Sequence, residues 1–318
     1  MIGFDIGGTK CSVSCGCVEN GTLRILEKRV LSTEKGIDPY VMIDRMYALA
    51  TEMTGDTSVV GISCGGPLDS SRGVILSPPN LEGWIDVDIV GYLKRKYGVT
   101  SALQNDANAC ALAEWKFGAG RGVNNMVFLT FGTGLGAGLI LNGRLYEGAS
   151  GCAGEIGHIR LEKDGPVGFG KSGSFEGFCS GGGIARLGKA LAVERFQRGE
   201  SVSYCTGLSE LDSITAKSIA DSAEKGNRDA VEIYALCGKK LGAGLSVLID
   251  ILNPERIVIG SIFERSEGLL RPEMEKVIEA EALKEAREVC EIVPAALGNN
   301  IGDWAALAVA LTLTEAKI

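Results

Sequence analysis

Residues 126–146 read MVFLTFGTGLGAGLILNGRLY, and the order of their parts decides the fold. Met126–Phe131 is a short apolar run of strand length. The glycines that follow, at 132, 134 and 136, resemble a dinucleotide fingerprint, but that motif must open a helix whose N-terminus takes the pyrophosphate. Here Ala137–Leu141 leads instead into Asn142-Gly143, a two-residue hairpin signal, and then into Arg144-Leu145-Tyr146. The glycines therefore turn one strand back into another. A dinucleotide fold is set aside, and so is a P-loop, since no G-x-x-x-x-G-K-[ST] spelling is expected in the chain.

The same sequence of parts opens the chain. Ile2–Ile6 is an apolar strand broken by Gly7-Gly8, residues 10–18 form a second strand, and Glu19-Asn20-Gly21 turns into a third that runs through Val30. Strand, glycine turn, strand, Asn-Gly turn, strand thus occurs twice, which predicts two related domains. Asp38-Pro39 caps a helix through Met53. Asp86 is the expected cap for a helix over 87–97, and Asn105 or Asp106 for one over 107–117 after a strand at 100–103. A helix over 228–251, a strand at 256–260, a helix over 272–286, a strand at 289–293 and a helix over 303–316 complete the pattern. Strands and helices alternate after each opening hairpin, so the class is α/β with mixed sheets flanked by helices. The expected boundaries are 1–110 plus 300–318 for a smaller domain and 111–299 for a larger one.

Composition narrows the function. The 318 residues are 45% hydrophobic and 23% charged, with a formal charge of −8. No basic face is available for a phosphate backbone, so nucleic acid is not an expected partner. No apolar run reaches membrane-spanning length and no leader-like segment precedes Met1-Ile2-Gly3, so the expectation is a cytoplasmic protein whose ten cysteines are thiols. Cys11, Cys15 and Cys17 share parity on one strand and are expected on a buried face.

Four groups of residues carry chemistry. Asp5-Ile6-Gly7-Gly8-Thr9-Lys10 puts a carboxylate at a strand end, then two residues whose backbone N–H groups can close on phosphate oxygens, then a hydroxyl and an amine. Asp5 suits a water of Mg²⁺. Thr130, Gly132, Thr133 and Gly134 form the second such turn, and paired glycine hairpins across a central cleft are the ATP-binding device of the actin-like (ribonuclease H-like) phosphotransferase fold. Asn105-Asp106 stands where a strand hands over to a helix, which places a carboxylate at a strand end. Glu155 and His158, three residues apart, can project together, with a further carboxylate at Glu176.

Taken in order, Asp5–Lys10, Gly65-Gly66-Pro67, Pro79-Asn80-Leu81-Glu82-Gly83-Trp84, Gln104–Ala109, the 132–138 loop, Glu155-Ile156-Gly157-His158 and Ile257–Ser261 resemble the ROK family (repressors, open reading frames, sugar kinases) over essentially the whole chain. The resemblance implies an ATP- and Mg²⁺-dependent kinase acting on the 6-hydroxyl of a hexose, with Asp106 as the base. It also implies sugar contacts from Gly66, Asn80, Asn105, Asp106, Glu155, His158 and Glu176. Nucleotide contacts would come from Asp5, Gly7, Gly8, Thr9, Lys10, Thr130, Gly132, Thr133, Gly134 and Gly260. Glucose is the first expected substrate, with N-acetylmannosamine or N-acetylglucosamine next and fructose, mannose or allose open. A homodimer is expected by the same resemblance. The alternatives are a sugar-responsive regulator, set aside because Asp5 follows so closely on Met1, and a non-catalytic sugar-binding protein.

One segment departs from the family. Where its members carry three zinc-ligating cysteines after the histidine, this chain has Val167, Phe169 and Ser174. Valine and phenylalanine cannot ligate zinc and serine rarely does, so no structural zinc is expected. Packing by Val167 and Phe169 is expected to hold the loop instead.

Overall fold

The structure, a computed structural model, describes residues 1–55 and 57–315. The expected helix end at 316 and domain end at 318 lie outside the described residues. In chain order the elements are β1 (Ile2–Ile6), β2 (Lys10–Glu19), β3 (Thr22–Ser32), α1 (Pro39–Thr54), β4 (Val59–Cys64), β5 (Leu68–Asp69), β6 (Val74–Ile75), β7 (Val87–Asp88), α2 (Ile89–Tyr97), β8 (Thr100–Asn105) and α3 (Asp106–Phe117). There follow β9 (Met126–Phe131), β10 (Leu135–Leu141), β11 (Arg144–Tyr146), β12 (Val167–Gly168), β13 (Lys171–Ser172), α4 (Phe175–Phe178), α5 (Gly181–Gln197), α6 (Ala216–Ala223) and α7 (Arg228–Leu252). The last elements are β14 (Arg256–Ile259), α8 (Ile262–Glu281), α9 (Lys284–Arg287), β15 (Glu291–Pro294) and α10 (Ile301–Glu315). Two compact units emerge: Met1–Asn124 with Gly138–Ala153 and Ala296–Ile318, and Asn125–Ala137 with Gly154–Ala295.

The first unit is built on a five-stranded sheet of order β3-β2-β1-β4-β8. The β1–β2 and β2–β3 pairs are antiparallel, whereas β4 runs parallel to both β1 and β8. Asn20 and Gly21 adopt φ of 53° and 73°, the left-handed pair that a two-residue hairpin turn requires, and they place Glu19 opposite Thr22. Helix α10 lies along β1 and β4 with Ala305, Ala306, Leu307 and Ala308 fully buried. Gly61 makes this approach possible, because a Cβ there would meet the backbone of Ala306 and Ala310. Met42, Ile43 and Met46 of α1 pack with Phe4, Val13 and Ile62 in the core.

In the second unit β14 is parallel to β9 and to β15, with Ile257 opposite both Val127 and Ile292. Within residues 138–146, which belong to the first unit, β10 turns into β11 at Asn142-Gly143 with φ of 53° and 70°, and Ile140 stands opposite Leu145. Helices α7 and α8 pack closely, with Gly238 and Gly242 set against the backbone of Leu270 and Met274.

Three expectations need correction. The helix foreseen over 272–286 begins ten residues earlier, at Ile262, and ends at Glu281, before the separate α9. Arg271-Pro272 looks like a helix start, but the operative start signal is the S-x-x-E capping box of Ser261 and Glu264. Pro272 is accommodated inside, beyond a non-helical Ser266 (φ −126°, ψ 22°). The cap of α2 is Asp88, which accepts the Gly91 N–H at 2.9 Å; Asp86 sits at φ 54° in the preceding turn. Of the three cysteines of equal parity on β2, only Cys11 is fully buried; Cys15 and Cys17 lie toward the sheet end and are partly exposed.

Candidate active site

The candidate residues divide between the two units. In the first, the Gly7-Gly8 turn joins β1 to β2 and is tied down from β3: Thr33 Oγ1 donates to Gly7 O at 2.7 Å and Thr33 N to Thr9 O at 3.0 Å. Gly8 rests on Asn80, where an added Cβ would lie 2.8 Å from the Asn80 Cβ, so only glycine fits. Thr9 and Lys10 are exposed at the mouth of the turn.

Asp5, at the end of β1, faces the start of α10: a Cβ on Gly302 would lie 2.6 Å from Asp5 Oδ2. Burial, and then the negative charges of Asp303 and Asp106, push its carboxyl from the ordinary 3.8 up to about 6, against the weaker pull of Lys28 and Lys10. Asp303, 3% exposed, is a hub that the sequence reading missed. Its Oδ1 accepts from Ser12 Oγ and Ser14 Oγ, both at 2.8 Å, and its Oδ2 pairs with Lys28. An acid in the first turn of an otherwise apolar helix, and serines alternating on a strand, are the local traces of this network.

Asn105 is the N-cap of α3, its Oδ1 accepting the Ala107 N–H at 3.0 Å. Asp106, an exposed residue in the first helical turn, accepts the same N–H through Oδ1 at 2.8 Å. Its Oδ2 lies 4.0 Å from the point a Gly65 Cβ would occupy, and the Asn105 amide nitrogen lies 3.3 Å from the equivalent point on Gly66. The glycine pair thus leaves the face of Asn105 and Asp106 open. Gln104 fixes the corner: Oε1 accepts from Asn105 N and Asn108 Nδ2, and Nε2 donates to Glu147 at 3.0 Å. Trp84, near Asn80 in sequence, is buried and packs in the core.

The second unit contains a cavity of about 800 Å³, bounded in part by Gly132, Thr133, Gly181, Gly182, Tyr234 and Ser261. Gly132 O accepts the Gly181 N–H at 2.8 Å, which ties the glycine turn to the first turn of α5. Gly132 and Thr133 therefore reach the cavity. Thr130, Gly134 and Gly260 do not line it; Gly260 N bonds back to Leu129 O at 2.9 Å. Gly181, Gly182 and Ser261 were not among the sequence candidates, although Ser180-Gly181-Gly182-Gly183 ahead of a helix is a legible phosphate-loop composition.

Glu176, also in this unit, turns to the glycine loop: Oε2 accepts the Leu135 N–H at 3.1 Å. His158 Nε2 lies 3.7 Å from Glu155 Oε2, and its ring meets Phe169 edge-on at 5.1 Å. The loop after His158 is not held by inward packing of Val167 and Phe169, which are 47% and 75% exposed. Phe169 and Gly170 form the left-handed turn between β12 and β13. Hydrogen bonds hold the segment instead. Ser174, fully buried at one former cysteine position, accepts the Gly177 N–H at 3.0 Å and so caps α4. Lys171 Nζ donates to His158 O at 2.6 Å and Arg160 Nη1 to Ser172 O at 2.9 Å.

A further correction falls here. Gly165–Ser172 does spell G-x-x-x-x-G-K-S, contrary to the expectation that no P-loop spelling occurs. The segment forms the β12–β13 hairpin rather than a strand–loop–helix, and its lysine is spent on a carbonyl, so the spelling is not a phosphate loop.

Mixed sheets opened by glycine-turn hairpins and flanked by helices make this an actin-like ATPase fold. The chain belongs to the ROK family, which it matches over residues 1–312. It is 32% identical over 308 residues to a glucokinase of Streptomyces coelicolor, covering 95% of this chain and 94% of that protein. It superposes with a TM-score of 0.77 on a ROK family glucokinase from Streptomyces griseus in complex with glucose and AMPPNP, at 30% identity over 98% of this chain and 99% of that one. It is also 25% identical over 303 residues to a xylose repressor of Bacillus spizizenii, covering 94% of this chain and 73% of that protein. Among the described residues no helix is long and apolar enough to cross a membrane.

Proposed function

We propose that this chain is an ATP-dependent sugar kinase that phosphorylates the 6-hydroxyl of a hexose, with glucose as the first candidate. The observation that carries the proposal is the arrangement of Asp106. Its carboxylate is exposed in the first turn of α3, Oδ1 accepts the Ala107 N–H, and Oδ2 lies 4.0 Å from the point a Gly65 Cβ would occupy. A sugar hydroxyl seated there would give its proton to Asp106 late in the transfer, since phosphoryl transfer is loose and positioning dominates. Asn80 and Asn105 supply amides suited to neighbouring hydroxyls, and the remaining sugar contacts are those implied by family resemblance.

The nucleotide is proposed to bind in the cavity of the second unit, whose volume suits a ligand of that size. Asp5 fits a magnesium ion held through water: burial and two neighbouring carboxylates make its surroundings negative, and a cation would offset them. When bound, the ion would neutralise charge on the transferring phosphates. The three positions where the family carries zinc-ligating cysteines do not fit that metal, because Val167 and Phe169 offer no donor and the Ser174 hydroxyl is committed to α4.

The test is ADP release from Mg-ATP against a panel of hexoses and N-acetylhexosamines, with wild type and Asp106→Ala side by side. Sugar-dependent turnover that collapses in the variant is the expected result, and the best sugar names the substrate. A folded wild type that turns over no sugar sinks the enzyme reading and leaves sugar binding without catalysis.

A further inference from the structure

Gln104, next to the end of β8, makes the hydrogen bonds that hold the corner carrying Asn105 and Asp106. Its amide has an accepting end and a donating end of nearly the same shape, so only the partners decide which end faces which. Oε1 faces the corner, where it accepts from Asn105 N at 2.9 Å and from Asn108 Nδ2 at 3.1 Å. The Asn105 N–H belongs to the backbone and can only donate. A reversed Gln104 would set its NH₂ group against that donor.

Glu147, absent from the sequence candidates, holds the amide the right way round. Its Oε1 accepts from Gln104 Nε2 at 3.0 Å and from Ser70 Oγ at 2.5 Å. A carboxylate offers acceptors only, so it selects the NH₂ end of Gln104 and turns the oxygen toward Asn105. Asn108 conforms to this order. It is 2% exposed and presents its NH₂ to Gln104, although its own Oδ1 is then buried without a partner among the described residues. The glutamine is therefore oriented from the Glu147 side.

Glu147 is itself held in place: it follows β11, and its carbonyl accepts the Ala153 N–H at 3.0 Å. Ser70 stands between β5 and β6, on the segment that continues from Gly65-Gly66. One carboxylate oxygen thus joins the corner behind Asp106 to the segment opposite it, all within the first unit. Resting on the reading of Asp106 as the base, we infer that Glu147 is a positioning residue for the phosphoryl transfer. It acts through Gln104, whose orientation sets where Asn105 and Asp106 stand against Gly65 and Gly66.

Steady-state kinetics with Mg-ATP and the best hexose, at a temperature where each variant is folded by circular dichroism, test this. Glu147→Ala is expected to lower kcat about tenfold to a hundredfold while KM for ATP stays unchanged. Glu147→Gln keeps an oxygen for both donors and is expected to stay within about threefold of wild type. Gln104→Glu sets two carboxylates against each other and is expected to be as poor as Glu147→Ala. Combining Gln104→Glu with Glu147→Gln restores a donor facing an acceptor with the ends exchanged, so most of the lost kcat is expected to return. Should Glu147→Ala not fold, Gln104→Glu and the exchanged pair decide alone. Wild-type kcat in Glu147→Ala, or in Gln104→Glu, overturns the inference and leaves the Asp106 reading standing. An exchanged pair poorer than Gln104→Glu also overturns it, since independent structural damage adds where a restored orientation cancels. A wild type that turns over no hexose overturns the inference and the Asp106 reading together.

Discussion

Glu176 accepts the backbone N–H of Leu135, so the carboxylate just inside α4 is an anchor of the glycine turn as well as a candidate for the sugar. Gly134 is shaped to it, since a Cβ there would lie 2.8 Å from Glu176 Oε2. Glu176→Ala leaves a part-buried N–H without its partner and is expected to cost about 1 kcal/mol by urea unfolding. Glu176→Gln keeps an acceptor and should recover most of that. If Gln restores stability while KM for the sugar stays raised, the two roles separate; if neither variant loses stability, the anchor assignment is wrong.

Asp106 is exposed, and the N-cap of α3 is Asn105. Asp106→Asn should therefore keep the wild-type melting temperature while lowering kcat by on the order of 10²–10⁴. A variant with undiminished turnover would remove Asp106 from the chemistry.

The Asp303 hub predicts a larger structural effect. Asp303→Ala strands two buried serine hydroxyls and the half-exposed Lys28 ammonium, at a cost of about 2–4 kcal/mol. Denaturant midpoints of wild type and variant measure it, and a loss under half a kcal/mol would mean that the network carries no net stability.

Asp5 sets a pH dependence whose sign follows from its raised carboxyl. The folded chain holds this proton more tightly than the unfolded chain, so the contribution is full below about pH 4 and is lost as pH rises through about 6. In buffer free of magnesium and nucleotide, wild type should lose up to about 3 kcal/mol relative to Asp5→Asn between pH 4 and 7. Parallel stability curves for the two proteins would contradict the assignment.

The zinc-less loop depends on Ser174. Ser174→Ala removes the cap of α4 and should cost about 1–2 kcal/mol, whereas treatment of the wild type with a zinc chelator should leave its melting temperature unchanged. A chelator-induced drop would reveal a metal that this loop does not account for.

How much of this is legible in sequence depends on how local each feature is. Both hairpins can be read because Asn20-Gly21 and Asn142-Gly143 are adjacent residues that must take left-handed φ, and the structure places both turns there. The handover from β8 to α3 at Asn105 is equally local. The Asp303 hub is not, because nothing near Ser12 or Ser14 announces a partner from the last helix. The start of α8 lies between these cases: Ser261-x-x-Glu264 is a local start signal, but Arg271-Pro272, which the helix accommodates in its interior, is a louder one. Which side chains hold the loop after His158 is likewise decided by tertiary hydrogen bonds. Hydrophobicity alone points to Val167 and Phe169, which the structure leaves exposed.

Helix α10 covers strands that leave the ribosome long before it does. During synthesis the apolar faces of β1 and β4, with the glycine surfaces at Gly3 and Gly61, wait uncovered while every residue of the second unit is made. The first unit to be started is thus the last that can be finished, and a nascent chain halted before Ala296 carries an open sheet that a chaperone or another chain can bind.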